Sequence, residues 1–153
     1  MCTDIKDYVT WCGIFKRMCS EDNKYYKPIK NPEKKMKILI ADDYPDVCKC
    51  IGQFLIYTEV QHAELHLVND LDEIIRLLNS EKYDIIISDI NMPGKGDGAT
   101  VLFDHRNITI LMTGDENQKD KYNDDFPYIL MKPFSLDNDL KPMIRSVLKG
   151  ECR

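Results

Sequence analysis

Five short apolar runs, alternating with segments of helical periodicity, constrain the fold of this 153-residue chain more than any other feature. The runs are Lys37 to Ala41, Glu64 to Val68, Ile85 to Ile87, Ile108 to Met112 and Tyr128 to Met131. Each has the length and the Ile/Leu/Val richness of a buried strand. Between the first and second, Pro45 suits the first turn of a helix that runs on through Cys50, Ile51, Phe54 and Leu55. Leu71, Ile74, Ile75 and Leu78 form a second amphipathic stripe, and Leu140, Ile144, Val147 and Leu148 a closing one with Pro142 in its first turn. Only about two turns of helix, Ala99 to His105, fit before the fourth strand. Gly114 to Phe126, GDENQKDKYNDDF, has almost no apolar repeat and predicts barely a helix. Strands separated by helical segments require right-handed crossovers and a parallel sheet covered on both faces. The expected class is α/β in three layers, doubly wound, with helices three and four shortened.

The chemistry follows from what stands at the strand ends. In a parallel doubly wound sheet these ends share one edge, beside the topological switch point. Asp42 and Asp43 follow the first strand, Asp89 the third, Thr113 the fourth and Lys132 the fifth. Asp89 lies within DIIISDINMPGKGDG, Asp84 to Gly98, where a strand delivers a carboxylate and then breaks into a loop at Pro93. Three converging carboxylates repel one another without a cation, and an all-oxygen cluster with room for water suits Mg²⁺. Such a site fits phosphoryl transfer to an aspartate: Asp89 attacks phosphorus, while Lys132 and Thr113 meet the phosphoryl oxygens. Singly, the paired aspartates read as helix caps, Thr113 as a turn residue and Lys132 as a solvated strand-end lysine. Their ordered appearance at four strand ends is what favours a site. Gly94, Gly96 and Gly98 match no phosphate-cradle spacing and read as loop glycines. His62, His66 and His105 have no histidine-kinase context and read as surface or core residues.

Residues 36 to 149, about three quarters of the chain, resemble the receiver domain of two-component response regulators. ILIADD, IIISDINMP, ILMTGD and ILMKPF carry the resemblance, in that order. It implies a flavodoxin-like five-stranded sheet of order 2-1-3-4-5 and residues 36–153 as the receiver domain. It also implies Asp89 as phosphoacceptor, Asp43 as direct Mg²⁺ ligand, Asp42 as ligand through water, Asn91 as ligand through its backbone carbonyl, and a cis bond before Pro133. Thr113 and Lys132 would meet the phosphoryl oxygens. The implied partners are a sensor histidine kinase or histidine phosphotransfer protein as donor and a downstream protein bound after phosphorylation. Two departures bear on signalling. Ile129 stands where the family usually has an aromatic coupled to the threonine, and strand alternation turns the neighbouring Tyr128 to the opposite face. The spacings Asp89 to Thr113, 24 residues, and Thr113 to Lys132, 19 residues, are short for the family and imply a remodelled output face.

The remainder of the chain adds an extension. Ile5, Tyr8, Val9, Cys12, Phe15 and Cys19 form a helical stripe, and Glu21 to Lys35, with Pro28 and Pro32, reads as a linker. Residues 1–35 are therefore expected to be an N-terminal helix and linker able to cover the domain or form a dimer. Residues 1 to 37 carry nine Lys/Arg against five Asp/Glu, within a net charge of −5 for the chain. No nucleic-acid motif accompanies that basic arm, so no nucleic-acid partner is expected. No apolar run spans a bilayer and no secretory signal is present, which predicts a cytoplasmic protein with no membrane span. Six cysteines without a CxxC pair predict reduced thiols. Because 21 residues follow Lys132, the expected protein is a stand-alone receiver, not a conventional enzyme. Two other functions fit the same residues. One is a phosphatase resembling the haloacid dehalogenase group, for which DIN is a nucleophile motif; the position of Asp42 and Asp43 before Asp89 and the presence of Asn91 count against it. The other is a non-switching receiver scaffold used as an interaction module.

Overall fold

KILIA forms β1 (Lys37–Ala41), and a continuous apolar run is what a strand buried on both faces requires. The computed structural model describes residues 35–58, 60 and 63–150. Within them β1 pairs in parallel with β2 (Glu64–Val68) on one side and β3 (Ile85–Asp89) on the other, with Ile38 opposite Leu65 and Ile85. β4 (Thr109–Thr113) and β5 (Ile129–Met131) complete a five-stranded parallel sheet of order 2-1-3-4-5. The class and strand order are those expected. β4 begins one residue later than the sequence suggests and includes Thr113; Tyr128 lies just before β5, although its carbonyl still accepts the Leu111 N–H at 3.0 Å.

Side-chain alternation splits the core in two. Ile38, Ile40, Ile85 and Ile87 pack on one face with Val47, Ile51, Phe54 and Leu55 of α1 (Pro45–Thr58) and Ile144 and Val147 of α5 (Lys141–Lys149). Leu39, Ala41 and Ile86 pack on the other with Leu71 and Ile74 of α2 (Leu71–Ser80) and Ala99 and Leu102 of α3 (Gly98–Leu102). Each such aliphatic side chain contributes about 1.5–3 kcal/mol on full burial, so the two clusters hold the layers together. Ile75 and Leu148, placed on apolar stripes by the sequence, are each 40% exposed and mark the stripe edges.

The shortened helices are as short as the spacing implied. α3 has five residues and then tightens into 3₁₀ turns from Phe103 to Ile108, where His105 leaves helical geometry. The expected helix to His105 is therefore α-helical only to Leu102. A 3₁₀ turn rises about 2.0 Å per residue against 1.5 Å, which lets a short segment cover the distance to β4. α4 (Glu116–Tyr122) has seven residues and none fully buried. A π-helical turn, Leu136–Leu140, leads into α5, whose first turn holds Pro142. Its entry is fixed reciprocally: Ser135 Oγ accepts the Asn138 N–H, and Asp139 Oδ2 accepts the Ser135 N–H at 2.7 Å.

Tyr128 is buried in the α1/α5 cluster and Ile129 packs against the other, as strand alternation predicts. Among the described residues no helix is long and apolar enough to cross a membrane. The predicted helix and linker of residues 1–34 lie outside the described residues, as does His62. Cys48 is free and buried.

Candidate functional site

The C-terminal ends of β1, β3 and β5 bring Asp42, Asp89 and Lys132 into direct contact. Lys132 Nζ donates to Asp42 Oδ2 at 2.8 Å and to Asp89 Oδ2 at 2.9 Å. Asp42 is fully buried and Asp89 is 7% exposed. Asp43, next in the chain, is exposed and points its carboxylate to the same place: oxygens of Asp42, Asp43 and Asp89 all lie within 4.8 Å of one another.

Backbone groups fix the two buried carboxylates. Asp42 Oδ1 accepts the Tyr44 N–H at 2.9 Å, and Asp89 Oδ1 accepts the Asn91 N–H at 3.1 Å. The Asn69 side chain donates to the Asp42 carbonyl at 2.9 Å and so anchors the β1 turn to the end of β2. Behind Asp89 the loop folds back closely. A Cβ on Gly98 would stand 2.7 Å from the Asp89 carbonyl oxygen, and Gly94 and Gly96 adopt φ of 128° and 96°. Gly94 and Gly96 shape the loop, whereas Gly98, read as a loop glycine, is the first residue of α3.

The electrostatics follow from burial and from one ammonium shared by two carboxylates. Burial is the largest influence on Asp42 and pushes its carboxyl above the usual range against the pull of Lys132. Asp89 is raised in the same way, with Asp42 adding to the effect of burial. For Lys132 burial is again the largest influence and acts downward, but the two carboxylates outweigh it and hold its pKa above the ordinary value. The lysine is thus well compensated and each aspartate only half so. Behind the site, burial pushes the Cys48 thiol up to about 12, and its Sγ lies 3.7 Å from the Asp42 carbonyl.

Three carboxylates against one ammonium leave two negative charges uncompensated when all are ionised. A hard, all-oxygen donor set with that imbalance fits a divalent ion such as Mg²⁺.

Thr113 is fully buried at the end of β4, but its hydroxyl is engaged away from the carboxylates. It accepts the Asp115 N–H at 3.1 Å and donates to Gln118 Oε1 at 2.7 Å. Gln118 also pairs with the Asn91 side chain in both directions, Nε2 to Oδ1 at 2.8 Å and Nδ2 to Oε1 at 3.2 Å. Sequence reasoning did not anticipate Gln118, Asn69 or the Tyr44 N–H. Asn69, directly after β2, sits at a strand end like the others; Gln118 lies in a polar segment where nothing singles it out. Of the histidines, His66 bonds Tyr83 and Glu64 on β2, remote from the acidic edge.

Comparison with known proteins accords with this arrangement. The signal receiver domain of an HD domain-containing protein from Pseudomonas fluorescens Pf-5 superposes with a TM-score of 0.65 at 25% identity, over 82% of this chain and 95% of that one. A two-component response regulator from Clostridium difficile gives 0.61 at 28% identity, over 75% and 97%. The receiver domain of the Francisella response regulator 1452 gives 0.62 at 26%, over 75% and 98%. No curated protein sequence matches the chain. The family model for the response regulator receiver domain matches residues 38–145, a span that takes in all five strands but for Lys37 and includes the acidic edge, and the chain belongs to that family.

Proposed function

We propose that this receiver domain takes a phosphoryl group onto Asp89 from a phosphohistidine and signals by binding a protein that recognises the phosphorylated form. The observation that carries this reading is the Lys132 ammonium held at 2.8 and 2.9 Å between Asp42 and Asp89, with Asp43 beside them. A carboxylate oxygen of Asp89 forms the new P–O bond in line as the P–N bond to the donor imidazole breaks. The bonding pair goes to the imidazole nitrogen, which takes a proton from solvent. Lys132, already beside Asp89, meets the charge on the transferred group. Asp43, Asp42, Asp89 and the Asn91 backbone carbonyl are the groups that would hold Mg²⁺, which would supply further charge neutralisation when bound. Thr113 donates its hydroxyl to a phosphoryl oxygen. Slow hydrolysis of the acyl phosphate returns the domain to its starting state, so its chemistry is on itself and it is not a conventional enzyme.

The donor is a sensor histidine kinase or a histidine phosphotransfer protein, and the protein acts in the cytoplasm. We read residues 36–153 as the receiver domain and residues 1–35 as an extension that serves to cover it or to join two copies. A phosphatase of haloacid dehalogenase type is disfavoured because Asp42 and Asp43 precede the nucleophile.

Incubation with Mg²⁺ and acetyl phosphate, followed by intact-mass measurement, tests the reading. An adduct of about 80 Da, the mass of a transferred phosphoryl group, is expected in the wild type and absent from Asp89→Ala. No adduct, or one that survives that substitution, overturns it.

A further inference from the structure

We propose that Gln118 is a positioning residue that locks the receiver in its unphosphorylated state by holding the one proton of the Thr113 hydroxyl. The inference rests on the reading of Asp89 as phosphoacceptor. A threonine hydroxyl has one donor proton. Here that proton goes to Gln118 Oε1 at 2.7 Å, while the oxygen accepts from the Asp115 N–H. The Thr113 side chain is fully buried, while Gln118 is partly exposed. The hydroxyl cannot donate to a phosphoryl oxygen on Asp89 until it leaves Gln118.

Gln118 spans three parts of the site edge. It stands on α4, takes the Thr113 hydroxyl at the end of β4, and pairs through both amide atoms with Asn91, two residues after Asp89. α4 itself has no fully buried residue; Tyr122 packs partly against the α2/α3 cluster, and polar ties hold the helix at two points. One is Gln118; the other is Tyr122, whose hydroxyl donates to Asp97 Oδ2 at 3.1 Å. An element fixed this way is the kind that opens at low cost. A phosphoryl group on Asp89 offers the Thr113 hydroxyl a charged acceptor, which is a stronger partner than a neutral amide. The proton moves its bond to that acceptor, Gln118 loses one of its two ties, and the first turns of α4 loosen. This route from Asp89 to the surface does not use an aromatic at the position of Ile129, and so it supplies a coupling where the usual residue is missing.

The test uses the full-length chain, its Gln118→Met variant, which keeps length and helix propensity without the hydrogen bonds, and Gln118→Ala as a second variant. Adduct formation from acetyl phosphate and Mg²⁺ is followed by intact mass, and amide exchange of residues 116 to 122 is measured with and without beryllofluoride and Mg²⁺. Both variants are expected to form the adduct about fivefold faster than the wild type, the factor that one net hydrogen bond confers. Exchange at 116 to 122 is expected to quicken on adding beryllofluoride in the wild type, and to be fast already and insensitive to it in the variants. Damage to the site would slow the adduct, so slower formation in both variants overturns the proposal. Equal adduct rates with unchanged exchange also overturn it and leave Asp89 as phosphoacceptor; no adduct in the wild type removes that reading and the proposal together.

Discussion

Lys132 is the residue on which the site's charge balance turns, since it donates to two buried carboxylates at once. Truncating one partner of a buried ion pair leaves the other charge uncompensated, and this costs more than the pair itself contributes. Lys132→Met is expected to lower unfolding stability at pH 7 in EDTA by about 3 kcal/mol, measured by urea titration. Millimolar Mg²⁺ should narrow the gap to the wild type, because a cation beside Asp42 and Asp89 replaces part of the lost charge. A gap unchanged by Mg²⁺ would count against metal binding at these carboxylates. At this scale the sequence was most informative where a side chain stands at a strand end, because the parallel sheet dictates its neighbours. Asp42, Asp89 and Lys132 were legible for that reason. Gln118 was not: on a short polar helix a glutamine is the expected surface residue, and only the packing of α4 against β4 reveals its contact with Thr113.

Strands were more legible than helices three and four. β1, β3 and β4 are flanked by strands on both sides and buried, and their apolar runs carry that requirement in full, whereas α3 and α4 rest on capping and polar ties that leave little periodic trace. Asp97 shows how these elements are held. Its Oδ1 accepts the Thr100 N–H at 2.8 Å at the start of α3, and its Oδ2 accepts the Tyr122 hydroxyl at the end of α4. Asp97→Ala removes both bonds and is expected to cost about 1–2 kcal/mol by chemical denaturation. The effect has a pH signature. Burial is the largest single influence on Asp97 and acts upward, but the Thr100 N–H, the Tyr122 hydroxyl and Lys121 together hold its pKa below the ordinary value. A carboxyl with a folded pKa below its unfolded one stabilises above the unfolded value, about 3.9, and loses that contribution as pH falls through the lower folded value. The difference between wild type and Asp97→Ala should therefore be constant from pH 7 to 5 and shrink below about pH 4. A difference that stays constant to pH 2 would mean that the charge of Asp97 does not matter.

For the whole molecule the question is whether the receiver is a self-sufficient folding unit. Its two hydrophobic clusters lie on opposite faces of one sheet and are built from residues between Met36 and Val147. β1 sits between β2 and β3, so the first strand is inner and must be present for either face to close. Met36 already packs against the α1/α5 cluster, and its carbonyl accepts the Glu64 N–H at 2.7 Å. A chain beginning at Met36 thus retains every strand pairing and both clusters. Under reducing conditions it is expected to unfold in urea in one cooperative transition. Its slope should be about 1–3 kcal/mol/M, as for other domains of this size. It should also form the Asp89 adduct at the rate of the full-length chain, since residues 35 to 150 contain every group placed at the acidic edge. A second transition, a much smaller slope or a lost adduct would mean that residues 1–35 complete the core or the site. The domain boundary would then have to move toward the N-terminus.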